Sequence, residues 1–176
     1  MDAKNLATLY DLPQMQWEPI AERLERGVEQ APGGGGPNRH TCWLATIDPD
    51  GAPHQTGVGA LWADGAFWFE TGPQTRKARN VARDPRCTLS LAVEEFDLSV
   101  QGDAARVTDA ATVAAMAARW AEGGWPCRVD ESGVALTAEF SAPSAGSPPW
   151  YVYKITPIRA TALLTVPPGG ATSWRF

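Results

Sequence analysis

Two adjacent cations, Arg76 and Lys77, stand where a helix is predicted to begin, and their position favours a binding role. The stretch TGPQTRKARNVARDPR, residues 71–86, carries five of the 15 Lys and Arg of a chain whose formal net charge is −5. A helix N-terminus already carries about half a positive charge, so acidic residues there would be the stabilising choice. We therefore predict that an external anion completes this site.

The predicted anion site combines several donors from one short segment. Thr75 is the predicted N-cap of the helix, and Thr71 at the end of the preceding strand offers a second hydroxyl. These hydroxyls, the free N–H groups of the first turn and the two cations would converge on one phosphate. The Gly-x-x-x-x-Gly-Lys-Ser/Thr pattern of a nucleotide P-loop is absent.

The alternative interpretation of the basic helix is structural. Its cations would then form a solvated face, or ion pairs with Glu94, Glu95 or other acids, and such pairs contribute little to stability. Ala78, Val81 and Ala82 are predicted to form the helix's apolar stripe, and Pro85 disfavours helical geometry at Asp84.

A second candidate surface lies on the strand predicted at HQTGVGALW, residues 54–62. Gly57 and Gly59 share one face and leave a bare patch that a flat ring would fit, although a barrel bend explains them equally well. His54 lies at the strand entrance beside Pro53, and we interpret it as a single structural histidine without an assigned catalytic partner.

The elements that must position these residues are mostly strands. Strands are predicted at 40–48, 54–62, 66–71, 87–94, 97–107, 151–157 and 159–166, and helices at 17–30, 75–84 and 108–124. Short turns between the first three strands favour an antiparallel meander, and the first strand, apolar on both faces, is predicted to be buried on two sides. The predicted fold is mainly β: an antiparallel barrel with peripheral helices.

Composition limits the remaining possibilities. The chain of 176 residues suits one full domain, which we place at residues 38–176, preceded by a helix and a Gly/Pro-rich linker at 1–37. Three widely spaced cysteines have no metal-ligand spacing and are interpreted as reduced core residues. With no signal-peptide pattern or long apolar run, we expect a cytosolic protein that binds neither membrane nor, given its acidic pI, nucleic acid.

Several stretches resemble a known family. ATIDPDGAPH, LWADGAFWFETGPQTRKARNVARDPRCTLSL and VQGDAARVTD are similar to the pyridoxamine 5′-phosphate oxidase-like superfamily of flavin and deazaflavin split barrels. The closing TPIRATALLTV…GGATSWRF resembles an actinobacterial branch of it. The resemblance covers roughly residues 40–176 and rests on Thr-x-x-x-Thr/Ser-x-Lys-x-x-Asn with its trailing Asp-Pro-Arg.

The resemblance implies a homodimer with FMN or the deazaflavin coenzyme F-420 at the interface. The cofactor phosphate would lie at the start of the 75–84 helix, and the ring would follow the second strand. The partner subunit would add aromatic and cationic groups, for which its Trp174 and Arg175 are the candidates. The implied cofactor-binding residues are Gln55, Thr56, Gly57, Val58, Glu70, Thr71, Gly72, Thr75, Arg76, Lys77, Trp174 and Arg175. No catalytic acid or base and no metal ligand is assigned.

The function implied is a flavin- or deazaflavin-dependent oxidoreductase that transfers a hydride to or from an unknown small molecule. Pyridoxamine phosphate oxidation itself is disfavoured, because the chain ends in Trp-Arg-Phe instead of an Arg-Leu-Ala-Pro-like motif and has Asp97 where oxidases carry an amide. F-420 is preferred over FMN, since Arg79 and Arg83 would extend a basic groove for its acidic tail. The alternatives are a non-catalytic cofactor carrier, a haem protein using His40 or His54, and a dimerising interaction module.

Overall fold

Eleven strands and three α-helices make up the part of the chain that the structure describes. This structure, a computed structural model, describes residues 1–28, 30 and 40–176; the Gly/Pro-rich stretch of the linker, predicted at residues 31–38, lies outside them. The strands are Asp2–Asn5 (β1), Cys42–Ile47 (β2), Pro53–Val58 (β3), Ala60–Ala63 (β4), Ala66–Thr71 (β5), Arg86–Ala92 (β6), Phe96–Arg106 (β7), Arg128–Val129 (β8), Leu136–Thr137 (β9), Tyr151–Leu164 (β10) and Gly170–Arg175 (β11). The helices are Glu18–Glu25 (α1), Arg76–Arg83 (α2) and Ala110–Glu122 (α3), and short 3-10 helices cover Thr8–Tyr10 and Pro143–Ala145.

Seven strands form an antiparallel barrel. β3, β2, β6, β7, β10, β5 and β4 neighbour one another in that order. Gly59 connects β3 directly to β4, so the first and last strands of this order are joined through one residue and the barrel closes. The single strand predicted over 54–62 is therefore two strands. Asp64 and Gly65, both with positive φ, form the tight turn between β4 and β5, as hairpins of this twist require. The predicted mainly β split barrel with peripheral helices is confirmed.

The barrel splits at β10, its longest strand. Residues 151–155 pair with β5 and residues 159–164 pair with β11, while β7 pairs along the opposite edge. The register shifts between Pro157 and Arg159, because proline has no N–H for the ladder. The two strands predicted at 151–157 and 159–166 are therefore one strand. β1 and β11, which pair with each other, are absent from the sequence prediction, since the polar residues of β1 show no alternation.

The first helix is shorter than predicted and packs on the barrel. α1 ends at Glu25, and Gly27 takes φ +74° directly after it, a conformation that ends helices. Ile20 and Leu24 lie in the main hydrophobic core with the barrel residues. The division at residue 37 stays a prediction.

The last helix agrees with its sequence pattern. Asp109 caps α3 by accepting a hydrogen bond from Thr112 N at 2.8 Å, and Gly123 follows the last turn. Apolar residues at helical spacing are buried in a second hydrophobic cluster, against Trp68 and Trp150. They are Val113, Met116, Ala117 and Trp120.

The burial of β2 differs from its prediction, whereas the burial of the three cysteines agrees with theirs. Trp43 on β2 is 48% exposed, so the expected burial of this strand on two sides is wrong for a single chain. The three cysteines are free and buried, as predicted, and burial raises the pKa of the Cys42 and Cys87 thiols to about 12 and that of Cys127 to about 11. Within the described residues, no helix combines the length and apolarity needed to cross a membrane.

Candidate functional site

Thr75 begins α2 as the sequence predicts. Its backbone is extended, and its Oγ1 accepts a hydrogen bond from Ala78 N at 3.3 Å and donates one to Gly72 O at 2.9 Å. Thr71 Oγ1 lies 2.9 Å from Thr75 Oγ1. Either hydroxyl can be the donor in this contact, and Thr71 Oγ1 also lies 3.5 Å from Ala145 O. The structure thus brings the two threonines together at the helix start.

Arg76 is held by a buried carboxylate. Its Nε donates to Asp48 Oδ1 at 2.8 Å, a second bond joins Nη2 to Oδ2, and Asn80 Nδ2 donates to the same Oδ1 at 2.9 Å. The hydrogen bonds from Arg76 and Asn80 hold the pKa of Asp48 below its usual value. The acid that pairs with this helix is therefore Asp48, whereas Glu95 pairs with Arg23 of α1 at 3.0 Å.

Lys77 and Glu70 form a buried pair of ionisable residues behind the helix start. Lys77 is 3% exposed and Glu70 is 7% exposed. Burial raises the pKa of Glu70 to about 7, against the opposing influence of the Lys77 charge. Burial likewise lowers the pKa of Lys77. Glu70 Oε1 accepts from Ser141 Oγ at 3.1 Å, and Oε2 has no partner among the described residues.

The buried face of α2 differs from the predicted stripe. Ala78 and Val81 are buried as expected, but Ala82 is exposed, and Lys77 and Asn80 take buried positions. The predicted stripe contained apolar residues alone, because polar side chains usually lie on the outer face of a helix. Asn80, which belongs to the quoted motif, is the available signal that polar groups of this helix face inward.

Residues 141–147, here called the cover segment, lie over the helix start. Lys77 Nζ donates to Ser144 O, and Gly72 N donates to Ala145 O at 2.7 Å. Ser144 Oγ donates to Gly57 O at 2.8 Å. No sequence pattern predicted these contacts, because they join residues far apart in the chain.

The residues predicted to face a ring lie along β3. Gln55 is exposed, Thr56 and Gly57 are half-buried, and Val58 is buried. The glycine patch is smaller than expected: a Cβ on Gly57 would lie 3.3 Å from Thr41 Cγ2, whereas the space at Gly59 is open.

Within one chain, Trp174 and Arg175 lie away from this cluster, so their predicted role would need the partner subunit and stays a prediction. Trp174 is 1% exposed and packs edge-on against Trp17, while Arg175 is exposed on β11. Arg175 pairs with Arg159 of β10, whereas Thr71 pairs with Tyr151. Eight residues along one strand separate those positions by roughly 26 Å. Because Trp174 is buried in the main hydrophobic core of the chain, little of its side-chain surface is accessible to a ligand.

The other arginines of α2 point to different places. Arg83 donates to Ile47 O. Arg79 lines a cleft of about 300 Å³ beside the start of α2, which Arg106, Tyr151 and Tyr153 also line. The Arg106 guanidinium carbon lies 3.3 Å from the centre of the Tyr151 ring. Arg79 and Arg106 therefore line this cleft, whereas Arg83 does not, and the predicted basic groove stays a prediction.

Metal binding finds no support in the part of the chain that the structure describes. Residues 1–28, 30 and 40–176 contain no group of three or more His, Cys, Asp or Glu side chains arranged to hold a metal ion.

Comparisons with known proteins agree with this architecture. A conserved hypothetical protein from Mycobacterium tuberculosis is 24% identical, with a TM-score of 0.59 and 84% of each chain covered. A pyridoxamine 5′-phosphate oxidase-related, FMN-binding protein from Nostoc punctiforme is 19% identical, with a TM-score of 0.55 and 91% of each chain covered. General Stress Protein 26 from Bacillus anthracis is 16% identical, with a TM-score of 0.53, covering 84% of this chain and 94% of its own. At these identities the similarity shows a shared fold.

The family itself is identified from the sequence. A comparison with curated proteins found no match. The sequence model described as pyridoxamine 5′-phosphate oxidase matches residues 37–162, which include α2, the cover segment and all of the barrel strands except the last two residues of β10. The chain therefore belongs to the pyridoxamine 5′-phosphate oxidase family of split barrels.

Proposed function

We propose that this protein is a flavin- or deazaflavin-dependent oxidoreductase whose cofactor phosphate binds at the start of α2. The observation that carries the proposal is Lys77, a buried cation in the first turn of a helix, beside the hydroxyls of Thr71 and Thr75. The cofactor would supply the hydride chemistry, and the chain would bind it, orient it and exclude water.

The donors at the helix start suit a phosphate. Gly72 N and Lys77 Nζ both point to carbonyl oxygens of the cover segment, and a phosphate oxygen accepts the same bonds. The backbone N–H groups of Arg76 and Lys77 are two further donors, because the first backbone N–H groups of a helix have no acceptor within the helix. A phosphate also compensates the buried Lys77 charge, which a neutral carbonyl does not. The residues therefore fit the group if the cover segment gives way.

The ring is proposed to lie along β3, at Gln55, Thr56, Gly57 and Val58. Gln55 is exposed and Gly57 lacks a side chain, so a flat ring can approach the backbone there.

F-420 remains the preferred cofactor, with FMN as the alternative. The cleft lined by Arg79 and Arg106 begins beside Pro73 and Ala78, at the start of α2. A longer anionic tail would reach these two cations, whereas the single phosphate of FMN would leave them unused. Binding of F-420 should therefore weaken more with salt than binding of FMN, because the screening length falls from about 10 Å at 0.1 M to about 3 Å at 1 M.

Replacing Lys77 with Met tests the phosphate site. Lys77→Met keeps the aliphatic stem and removes a charge-assisted bond worth roughly 1.5–3 kcal/mol, so cofactor affinity should fall about 10-fold or more. Arg76 is left in place because its loss would leave the buried Asp48 carboxylate without its ion pair. Titration of FMN and F-420 by calorimetry or tryptophan quenching measures the change.

Arg119→Met is the matched control, since it removes one positive charge from an exposed position on α3. It should bind both cofactors as the parent protein does. Equal affinities of Lys77→Met and the parent protein would remove the phosphate assignment.

A non-catalytic cofactor carrier is the second candidate. The thiols of all three cysteines stay protonated near neutral pH, because burial raises each pKa to about 11 or 12, so none of them supplies a nucleophile. Reduced cofactor mixed with small quinones or conjugated carbonyls distinguishes the two functions. Oxidation accelerated by the protein supports the enzyme, and unchanged oxidation across such a panel supports the carrier.

A further inference from the structure

The cover segment takes up the main donors of the predicted phosphate site. Ser144 O accepts from Lys77 Nζ, and Ala145 O accepts from Gly72 N at 2.7 Å. The two acceptors are neighbouring carbonyl oxygens in the Pro143–Ala145 3-10 helix. They accept hydrogen bonds from two donors that a bound anion would also use.

Further contacts hold the cover segment in place. Ser141 Oγ donates to Glu70 Oε1 at 3.1 Å, and Ser144 Oγ donates to Gly57 O at 2.8 Å. On its far side, Trp150 Nε1 donates to Gly146 O at 2.8 Å. The segment is therefore docked through specific bonds on both the helix side and the β3 side.

Gly146 makes this docked conformation possible. Its φ of 71° and ψ of −168° belong to a region that is essentially restricted to glycine. A Cβ at this position would also lie 3.1 Å from Thr75 Cγ2. Any other residue at 146 would strain the docked segment, and its Cβ would contact the methyl group of Thr75 rather than the hydroxyl that would bind a phosphate.

We propose that the cover segment is an autoinhibitory contact that competes with a phosphate-bearing ligand for Lys77 and the start of α2. The proposal rests on the proposed function, because it takes the same site as the place where the ligand phosphate binds. Binding then exchanges two carbonyl acceptors for two phosphate oxygens, and the segment must leave for the ligand to enter.

Gly146→Ala tests the competition. It disfavours the docked segment, so FMN and inorganic phosphate should bind roughly tenfold tighter than to the parent protein. Riboflavin, which has the same ring without the phosphate, should show no such gain. Gly133→Ala is the matched control: Gly133 also has positive φ (+74°), but a Cβ there would meet nothing within 4 Å, so this variant should bind as the parent protein does.

A second variant and a hydrogen-exchange measurement test the same competition independently. Ser144→Ala removes the bond to Gly57 O and should give a smaller gain, which serves if Gly146→Ala does not fold. Amide hydrogen exchange in residues 142–146 should accelerate when FMN is added to the parent protein, because the segment is displaced.

The outcomes separate the two proposals. Tighter FMN binding by Gly146→Ala than by the parent protein, without a gain for riboflavin, supports the competition. If Gly146→Ala and Ser144→Ala both bind FMN no more tightly than the parent protein, the competition is overturned and the proposed function is left intact. If neither the parent protein nor the variants bind FMN, F-420 or inorganic phosphate, both proposals fail.

Discussion

At the scale of single residues, the buried pair of Glu70 and Lys77 is the least expected feature. Burial moves both groups toward their neutral forms, since it raises the pKa of Glu70 and lowers that of Lys77. Buried ionisable groups with incomplete hydrogen bonding usually cost stability. Their retention at the start of α2 is consistent with a binding role and not with a gain in stability.

Glu70 should make stability depend on pH. Its pKa is about 7 in the folded protein, against an ordinary value of 4.5, so its protonation favours the folded state. This contribution is fully present below about pH 4.5 and is lost as the pH rises to about 7. Between about pH 5 and about pH 8, the parent protein should therefore lose up to roughly 3 kcal/mol of unfolding free energy relative to Glu70→Gln, at about 1.4 kcal/mol per pKa unit.

Urea denaturation at the two pH values measures this difference. Glu122→Gln, an exposed carboxyl on α3, is the control and should track the parent protein. A constant difference between Glu70→Gln and the parent protein across the range would show that Glu70 stays ionised in the folded state. Lys77 and the Cys127 thiol are the other titratable groups near Glu70.

At the scale of elements, the contact between β7 and β10 is the most sensitive to an added atom. A Cβ on Gly102 would lie 2.3 Å from Thr156 O, a backbone atom that cannot move away by itself. Gly102 pairs with Pro157, next to the bulge of β10. The glycine therefore permits the close approach of the two longest barrel strands.

Gly102→Ala should destabilise the protein by roughly 1–3 kcal/mol, the usual cost of overpacking a core position. Gly59→Ala is the matched control, because a Cβ there would meet nothing within 4 Å, and it should change stability by less than about 1 kcal/mol. Chemical denaturation of both variants measures the effect. If Gly102→Ala and Gly59→Ala were equally stable, β7 and β10 would have to move apart without a cost in free energy.

At the scale of the whole molecule, one outer face of the barrel exposes large apolar side chains. Trp43 on β2 is 48% exposed and Leu163 on β10 is 51% exposed. Both line a cleft of about 540 Å³ together with Asp97 and the ring of His40, whose Nε2 has no partner among the described residues. The homodimer implied by the family resemblance stays a prediction, and this face is the natural place to test it.

We expect light scattering at micromolar concentration to give twice the chain mass of 18.9 kDa. Trp43→Glu should shift the protein to the monomer, because a charge would replace an apolar contact at the interface. Phe140→Glu, at an equally exposed apolar residue outside the cleft, should leave the dimer unchanged. A monomeric parent protein would contradict the predicted assembly.

The sequence alone determined features that depend on neighbouring residues. The Thr75 cap, the tight turn after β4 and the apolar stripe of α3 follow from local backbone chemistry. The motif around Thr71, Thr75 and Lys77 located the candidate site, and the family resemblance supplied the fold. Each of these signals lies within a few residues of the feature that it predicts.

Only the tertiary structure decided which groups those residues meet. The partner of Arg76 is Asp48, 28 residues away, and the oxygen that binds Lys77 belongs to Ser144, 67 residues away. The burial of Trp174 and the continuity of β10 likewise depend on neighbours from distant strands. No local pattern encodes such contacts, because they form only when the closed barrel brings the end of β2, the start of α2 and residues 141–147 into one place.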